Sequence, residues 1–107
     1  MPNARTTNLY PKPTTNVLDQ DLDVAGSVVQ FGTAFNSLTR YIVLDVQDAD
    51  VFVTYDGSDP VKTSGSENGH KLFAGRSYTW AKETALVARF IQSGSVTARI
   101  HASEFTD

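Results

Sequence analysis

The run Arg40-Tyr41-Ile42-Val43-Leu44-Asp45-Val46 constrains the fold more than any other part of the chain. Side chains on a strand alternate between faces, so Ile42, Leu44 and Val46 share one side and Tyr41, Val43 and Asp45 the other. The first set is the better core face. Runs of the same β-branched and aromatic texture recur, and the pattern predicts strands near Ser27–Gly32, Arg40–Val46, Val51–Tyr55, His70–Phe73, Ser77–Trp80, Ala85–Ile91 and Val96–Ala102. Short strands separated by Gly, Pro, Asp and Ser at close intervals point to an all-β sandwich or barrel of about seven strands. Two turns of helix compete for Ala85–Ile91; the Gly94 break and the β-branched continuation favour strand there.

The last two runs carry a hairpin pattern. Leu86, Ala88 and Phe90 alternate with Val87, Arg89 and Ile91; Gln92-Ser93-Gly94-Ser95 supplies a turn, and Val96, Ala98 and Ile100 then alternate with Thr97, Arg99 and His101. Ile42, Leu44, Val46, Phe90 and Ile100 are the expected core. Val51, Val53 and Tyr55 oppose Phe52 and Thr54, so this strand carries apolar groups on both faces and is a candidate for cover on two sides. Asp48-Ala49-Asp50 and Asp56-Gly57-Ser58-Asp59-Pro60 are turn chemistry. From Asp59 to Gly69 runs the longest polar loop, with Lys62, Thr63, Ser64, Gly65, Ser66, Glu67 and Asn68 expected at the surface.

With 107 residues, 40% of them hydrophobic, the chain can bury one core but hardly two. That core is assigned to residues 24–107, and residues 1–23 to an extended N-terminal arm. The arm has little apolar periodicity and carries Pro2, Pro11 and Pro13, which fix φ and bias the preceding residues towards extended geometry. Its apolar handles are Leu9, Tyr10, Val17 and Leu18. One expectation is an unordered terminus; the sharper one is an arm that docks on a neighbour, with Leu9, Tyr10, Pro11, Pro13, Val17 and Leu18 as partner-binding residues.

The net charge of −3, with basic residues scattered singly from Arg5 to Arg99, lacks the footprint of a nucleic-acid binder. No apolar run approaches the roughly 18 residues needed to span a bilayer, and the start of the chain lacks the apolar stretch of a signal peptide. The expectation is a protein made soluble, without nucleic-acid or membrane partners.

Catalytic chemistry is hard to find. There is no cysteine, hence no disulfide, thiolate zinc site or thiol nucleophile. The chain has no Gly-rich phosphate loop, no His-Glu-x-x-His and no Gly-x-Ser-x-Gly, and its two histidines, His70 and His101, fall in different predicted strands. Asp19-Gln20-Asp21-Leu22-Asp23, Asp48-Ala49-Asp50 and Asp56-Gly57-Ser58-Asp59 offer oxygens to a calcium ion, but none has the EF-hand pattern, and turn formation or solvation accounts for each. Tyr78 and Trp80 point to one face, near Phe73 in sequence; they are a sugar-stacking platform if exposed and core residues if not. The expectation is a non-enzyme with no cofactor and no metal.

The segments Val51-Phe52-Val53-Thr54-Tyr55-Asp56-Gly57-Ser58-Asp59-Pro60, Asn68-Gly69-His70-Lys71-Leu72-Phe73-Ala74-Gly75, Tyr78-Thr79-Trp80 and Ala88-Arg89-Phe90-Ile91-Gln92-Ser93-Gly94-Ser95-Val96-Thr97-Ala98-Arg99-Ile100 follow one another in order. Together they resemble small structural proteins of tailed bacteriophages, in which a strand ending in Thr/Ser-Tyr/Phe-Asp-Gly-x-x-Pro leads through a polar loop to Gly-His-x-Leu and a hairpin. The resemblance covers the second half of the chain and leaves out the arm. It implies a virion protein, made in the host cytoplasm, with a β-sandwich or β-barrel domain and no catalytic residues. Its implied partners are the major capsid protein, other virion subunits and further copies of itself. A capsid decoration (cement) protein, a head-to-tail or tail adaptor, and a carbohydrate-binding module remain the competing functions.

Overall fold

The computed structural model describes residues 19–106. They form seven strands and one short helix: β1 (Gln20–Val24), β2 (Tyr41–Gln47), β3 (Val51–Thr54), β4 (His70–Leu72), β5 (Ser77–Ala81), α1 (Lys82–Val87), β6 (Arg89–Gln92) and β7 (Ala98–Phe105). A four-stranded sheet has the order β1-β7-β2-β5 and a three-stranded sheet the order β4-β3-β6, every pairing antiparallel. The two sheets share one core, to which the larger contributes Val24, Ile42, Leu44, Val46, Ala98, Ile100 and Ala102, and the smaller Val51, Val53, Leu72 and Phe90. This is the all-β, two-sheet arrangement that the alternation predicts. All five expected core residues are at most 1% exposed.

The two faces of β3 are covered differently. Val51 and Val53 enter the core, while on the opposite face Phe52 is half-buried with Lys71 Nζ 5.7 Å from its ring centre, and Thr54 meets the loop that follows the strand. There the Thr54 hydroxyl donates to the Ser58 carbonyl, Arg89 pairs with Asp59 at 2.7 Å, and Lys62 Nζ donates to the Gly94 carbonyl at 2.8 Å. Pro60 is buried, so the polar loop is fastened over the smaller sheet rather than free of it.

Beyond shifts of a few residues at strand ends, the chain departs from the sequence expectation in four places. Residues 20–23, assigned to the arm, belong to β1, which pairs with β7 from Gln20 opposite Ala102 to Val24 opposite Ala98. Three aspartates in five residues disguised the period-two placement of Leu22 and Val24 on the core side. Ser27–Gly32 makes only a bridge between Val29 and Phe90, closed by two hydrogen bonds of 2.9 and 2.8 Å, while Phe31 packs edge-on against Phe35 and Phe90. This segment seals the outer edge of β6 instead of forming a strand.

Ala85–Ile91 splits. Lys82–Val87 is helical, with Glu83 in its first turn and Ala85 buried, and strand geometry begins only at Arg89. Ala85 and Ala88 are both buried at a helical spacing of three, which strict alternation does not produce. Leu86 and Val87 consequently stay exposed. The expected hairpin between β6 and β7 is not formed, because the two strands lie in different sheets. Phe90 and Ile100 both need the core; placing them in opposite sheets lets both fill it, and β7 pairs instead with β2 and β1.

Candidate functional site

An open cleft of about 420 Å³ lies where β3 ends and β4 begins, lined by Val53, Thr54, Tyr55, Asp56, Asn68, Gly69 and His70. The pairing of Val53 with His70 creates it, by carrying the residues beyond each strand to the same end of the sheet. Gly69 is required here: its φ is +130°, and a Cβ would stand 2.9 Å from the Val53 carbonyl oxygen. The Tyr55 ring lies 5.7 Å from the imidazole of His70 and 5.2 Å, edge-on, from the indole of Trp80. Burial raises the Tyr55 hydroxyl above its usual pKa, with the nearby Tyr78 adding to the effect. Asp56 is held below the usual carboxylate range by hydrogen bonds from the Ser58 hydroxyl and main-chain N–H. Its carboxylate closes a turn, so the cleft combines aromatic walls with a polar rim and contains no nucleophile paired with a base.

Trp80 and Tyr78 are half-buried rather than displayed. Trp80 stacks on Phe90 with ring centres 5.9 Å apart, and the Tyr78 hydroxyl accepts the Phe73 main-chain N–H at 2.9 Å. One flat face of the indole is thereby taken up by Phe90, in the core. Phe73 is exposed, with the Arg76 guanidinium 5.4 Å from its ring centre.

The outer face of the larger sheet carries the other polar concentration. Strand register sets Asp21, His101, Asp45 and Ser77 in one row across all four strands. His101 Nδ1 is 2.6 Å from Asp21 and Nε2 is 3.5 Å from Asp19, while Asp45 accepts the Ser77 hydroxyl. Arg99 pairs loosely with Asp23 at 3.7 Å. The hydrogen bond to Asp21 raises the pKa of His101, the charges of Asp21 and Asp19 add to the rise, and partial burial opposes it.

His70 and His101 are not brought together: one belongs to the smaller sheet and the other to the larger. Among the described residues, no group of three or more His, Asp or Glu side chains is arranged to hold a metal ion. The partner-binding candidates Leu9, Tyr10, Pro11, Pro13, Val17 and Leu18 lie outside the described residues. The Tyr55–His70 cleft was missed in the sequence because it depends on strand register; the visible signal was the pair of turn-bearing segments, Tyr55-Asp56-Gly57 and Asn68-Gly69-His70. Comparison with protein-family models, with curated proteins and with solved structures finds no match.

Proposed function

We propose that this chain is a non-enzymatic structural protein of a tailed-bacteriophage particle, a capsid decoration protein that adds to the assembled shell through its β domain and N-terminal arm. The observation that carries the reading is the ordered resemblance from Val51 to Ile100 to small structural proteins of such phages. The fold is compatible with that role. A rigid two-sheet domain presents a shaped surface, its longest polar loop is fastened down by Arg89–Asp59 and Lys62–Gly94, and the arm supplies a second point of attachment. Many copies on a symmetric shell would sum weak contacts into firm attachment. A head-to-tail or tail adaptor shares these features and differs in copy number.

The test is to purify particles of the phage that encodes the chain and to count its copies per major capsid subunit by quantitative mass spectrometry. Copies in a fixed ratio to the shell subunit support decoration, and a single small ring per particle supports an adaptor. Absence from particles refutes both.

A further inference from the structure

Among the described residues, no strand pairs with the outer edge of β1 or of β5 in the larger sheet, and the charges differ: Asp21 and Asp23 lie on β1, while Arg76 and Lys82 flank β5. Hydrogen bonds from Val46 N to the Arg76 carbonyl and from Lys82 N to the Arg40 carbonyl fix the phase of the β2–β5 ladder. By antiparallel alternation, the main-chain groups of Tyr78 and Trp80 face β2, and those of Ser77, Thr79 and Ala81 face outward. The same alternation, carried through β7, turns the main-chain groups of Leu22 and Val24 inward and those of Asp21 and Asp23 outward. The Gln20 end of β1 is covered by Thr33, whose main chain makes two hydrogen bonds to the Gln20 side chain. The smaller sheet offers less: Val29 occupies the outer edge of β6, and β4 has only three residues.

We propose that β5 of one copy pairs with β1 of another, joining their larger sheets head to tail. Both strands have five residues, and the sheet order makes them antiparallel to each other, so a second copy in the same orientation continues the antiparallel pattern. The faces agree as well. With Thr79 opposite Asp21 or Asp23, the core-side residues Tyr78 and Trp80 fall on the same side as Leu22 and Val24, and one sandwich layer runs on into the next.

Charge selects the second copy's β1 over its β5. Two β5 strands pairing about Thr79 would set Arg76 opposite Lys82, and two β1 strands would set aspartate opposite aspartate. Like charges directly opposite destabilise a pair. Joining β1 to β5 with Thr79 opposite Asp21 instead sets the Asp21 carboxylate beside the Thr79 hydroxyl and Asp23 opposite Ser77, next to Arg76, and puts no like charges directly opposite. Because the two surfaces differ, the interface is heterologous and closes into a ring or runs into a filament. One such strand pair is small, so closure, which leaves no end copy with an unpaired edge, favours the ring. This goes beyond the particle reading and does not rest on it, since it concerns the purified chain alone.

Light scattering on size-separated protein over a concentration series tests it. The wild-type chain is expected to populate multiples of the 11.7 kDa monomer. Thr79→Pro removes an outward N–H that β2 does not use, so it should leave circular dichroism intact and reduce the mass to one copy. Asp23→Pro should do the same from the β1 side. Mixed, the two variants retain one good edge each and should form a one-to-one dimer that goes no further. If either proline variant unfolds, Thr79→Asp serves in its place, since it repels Asp21 and Asp23 of the neighbour, while Thr79→Lys should preserve assembly. A wild-type chain that stays monomeric throughout, folded Thr79→Pro or Thr79→Asp protein that still assembles, or a mixture of folded edge variants without a dimer would overturn the proposal.

Discussion

His101 Nδ1 lies 2.6 Å from the carboxylate of Asp21, directly across the β1–β7 pair, so a titratable side chain adds to the main-chain ladder that holds the first strand. Asp19 approaches the other ring nitrogen at 3.5 Å, and Asp45 faces His101 from β2 on the opposite side. These three neighbours of the ring are acidic, which favours the imidazolium, while Arg99, two residues away on the same face of β7, pairs with Asp23.

The folded-state pKa of His101 is raised above its ordinary value of 6.5, so the stabilisation is complete below the unfolded value and lost as pH rises through the folded one. Wild-type protein should exceed His101→Gln in thermal midpoint under mildly acidic conditions, and the difference should shrink towards alkaline pH. Midpoints of both proteins measured across that range check the sign; a difference that grows with pH contradicts it. Added salt should reduce the acidic-side difference, because the carboxylates are partly exposed.

Leu44 and Phe90 face each other's sheets across the core with no exposed surface. Truncation removes contacts that rigid strands cannot fully restore. Leu44→Ala should cost about 2–5 kcal/mol and Phe90→Ala about 3–5 kcal/mol. Phe90 also supports the ring of Trp80, so tryptophan emission should shift to longer wavelength in Phe90→Ala as the indole becomes wetter. Denaturant unfolding followed by circular dichroism and by fluorescence measures both effects.

The alternation in residues 40–46 was enough to place β2 and its core face, because period two is a direct consequence of strand geometry. Where a second requirement competed with alternation, the sequence was less legible. At Gln20–Val24 the aspartates that now face solvent and His101 made a strand look like part of an arm. At Lys82–Val87 a short helix reorients the chain between sheets, and its six residues give too little periodicity to reveal it. The β6–β7 connection looked like a hairpin because local alternation says nothing about which sheet each strand joins. The cleft at Tyr55 and His70 was hidden for the same reason, being a product of β3–β4 register rather than of neighbouring residues.

Glu104 is only 3% exposed, and one carboxylate oxygen accepts the Asn36 main-chain N–H at 2.8 Å and the Thr39 hydroxyl at 2.7 Å. Lys82 Nζ donates to the Asn36 carbonyl at 2.9 Å, so the end of the 25–40 connection is tied to both β7 and α1. Glu104→Ala removes an acceptor shared by two buried or half-buried donors and should destabilise the domain by about 1–3 kcal/mol. Glu104→Gln keeps an oxygen in reach and should cost less. Faster amide exchange around Asn36 and Thr39 in Glu104→Ala, with β2 and β3 unchanged, would locate the loss in this connection.

The boundary between arm and domain has a functional consequence, because β1 begins at Gln20 rather than after Asp23. Leu22 and Val24 pack with the core, and β1 pairs with β7 along its whole length. Deleting residues 1–18 should therefore leave the sheet complete, with circular dichroism and thermal midpoint close to those of the full chain. Deleting residues 1–24 removes an edge strand, exposes the flank of β7 at Ile100 and Ala102, and should lower the midpoint sharply or abolish folding. On the proposed attachment role, the shorter deletion should also weaken binding to undecorated particles, since it removes Leu9, Tyr10, Pro11, Pro13, Val17 and Leu18. Co-sedimentation with such particles measures that binding. Full binding by the 1–18 deletion would assign attachment to the β domain alone, and a folded 1–24 deletion with an unchanged midpoint would show that β1 contributes little to the sandwich.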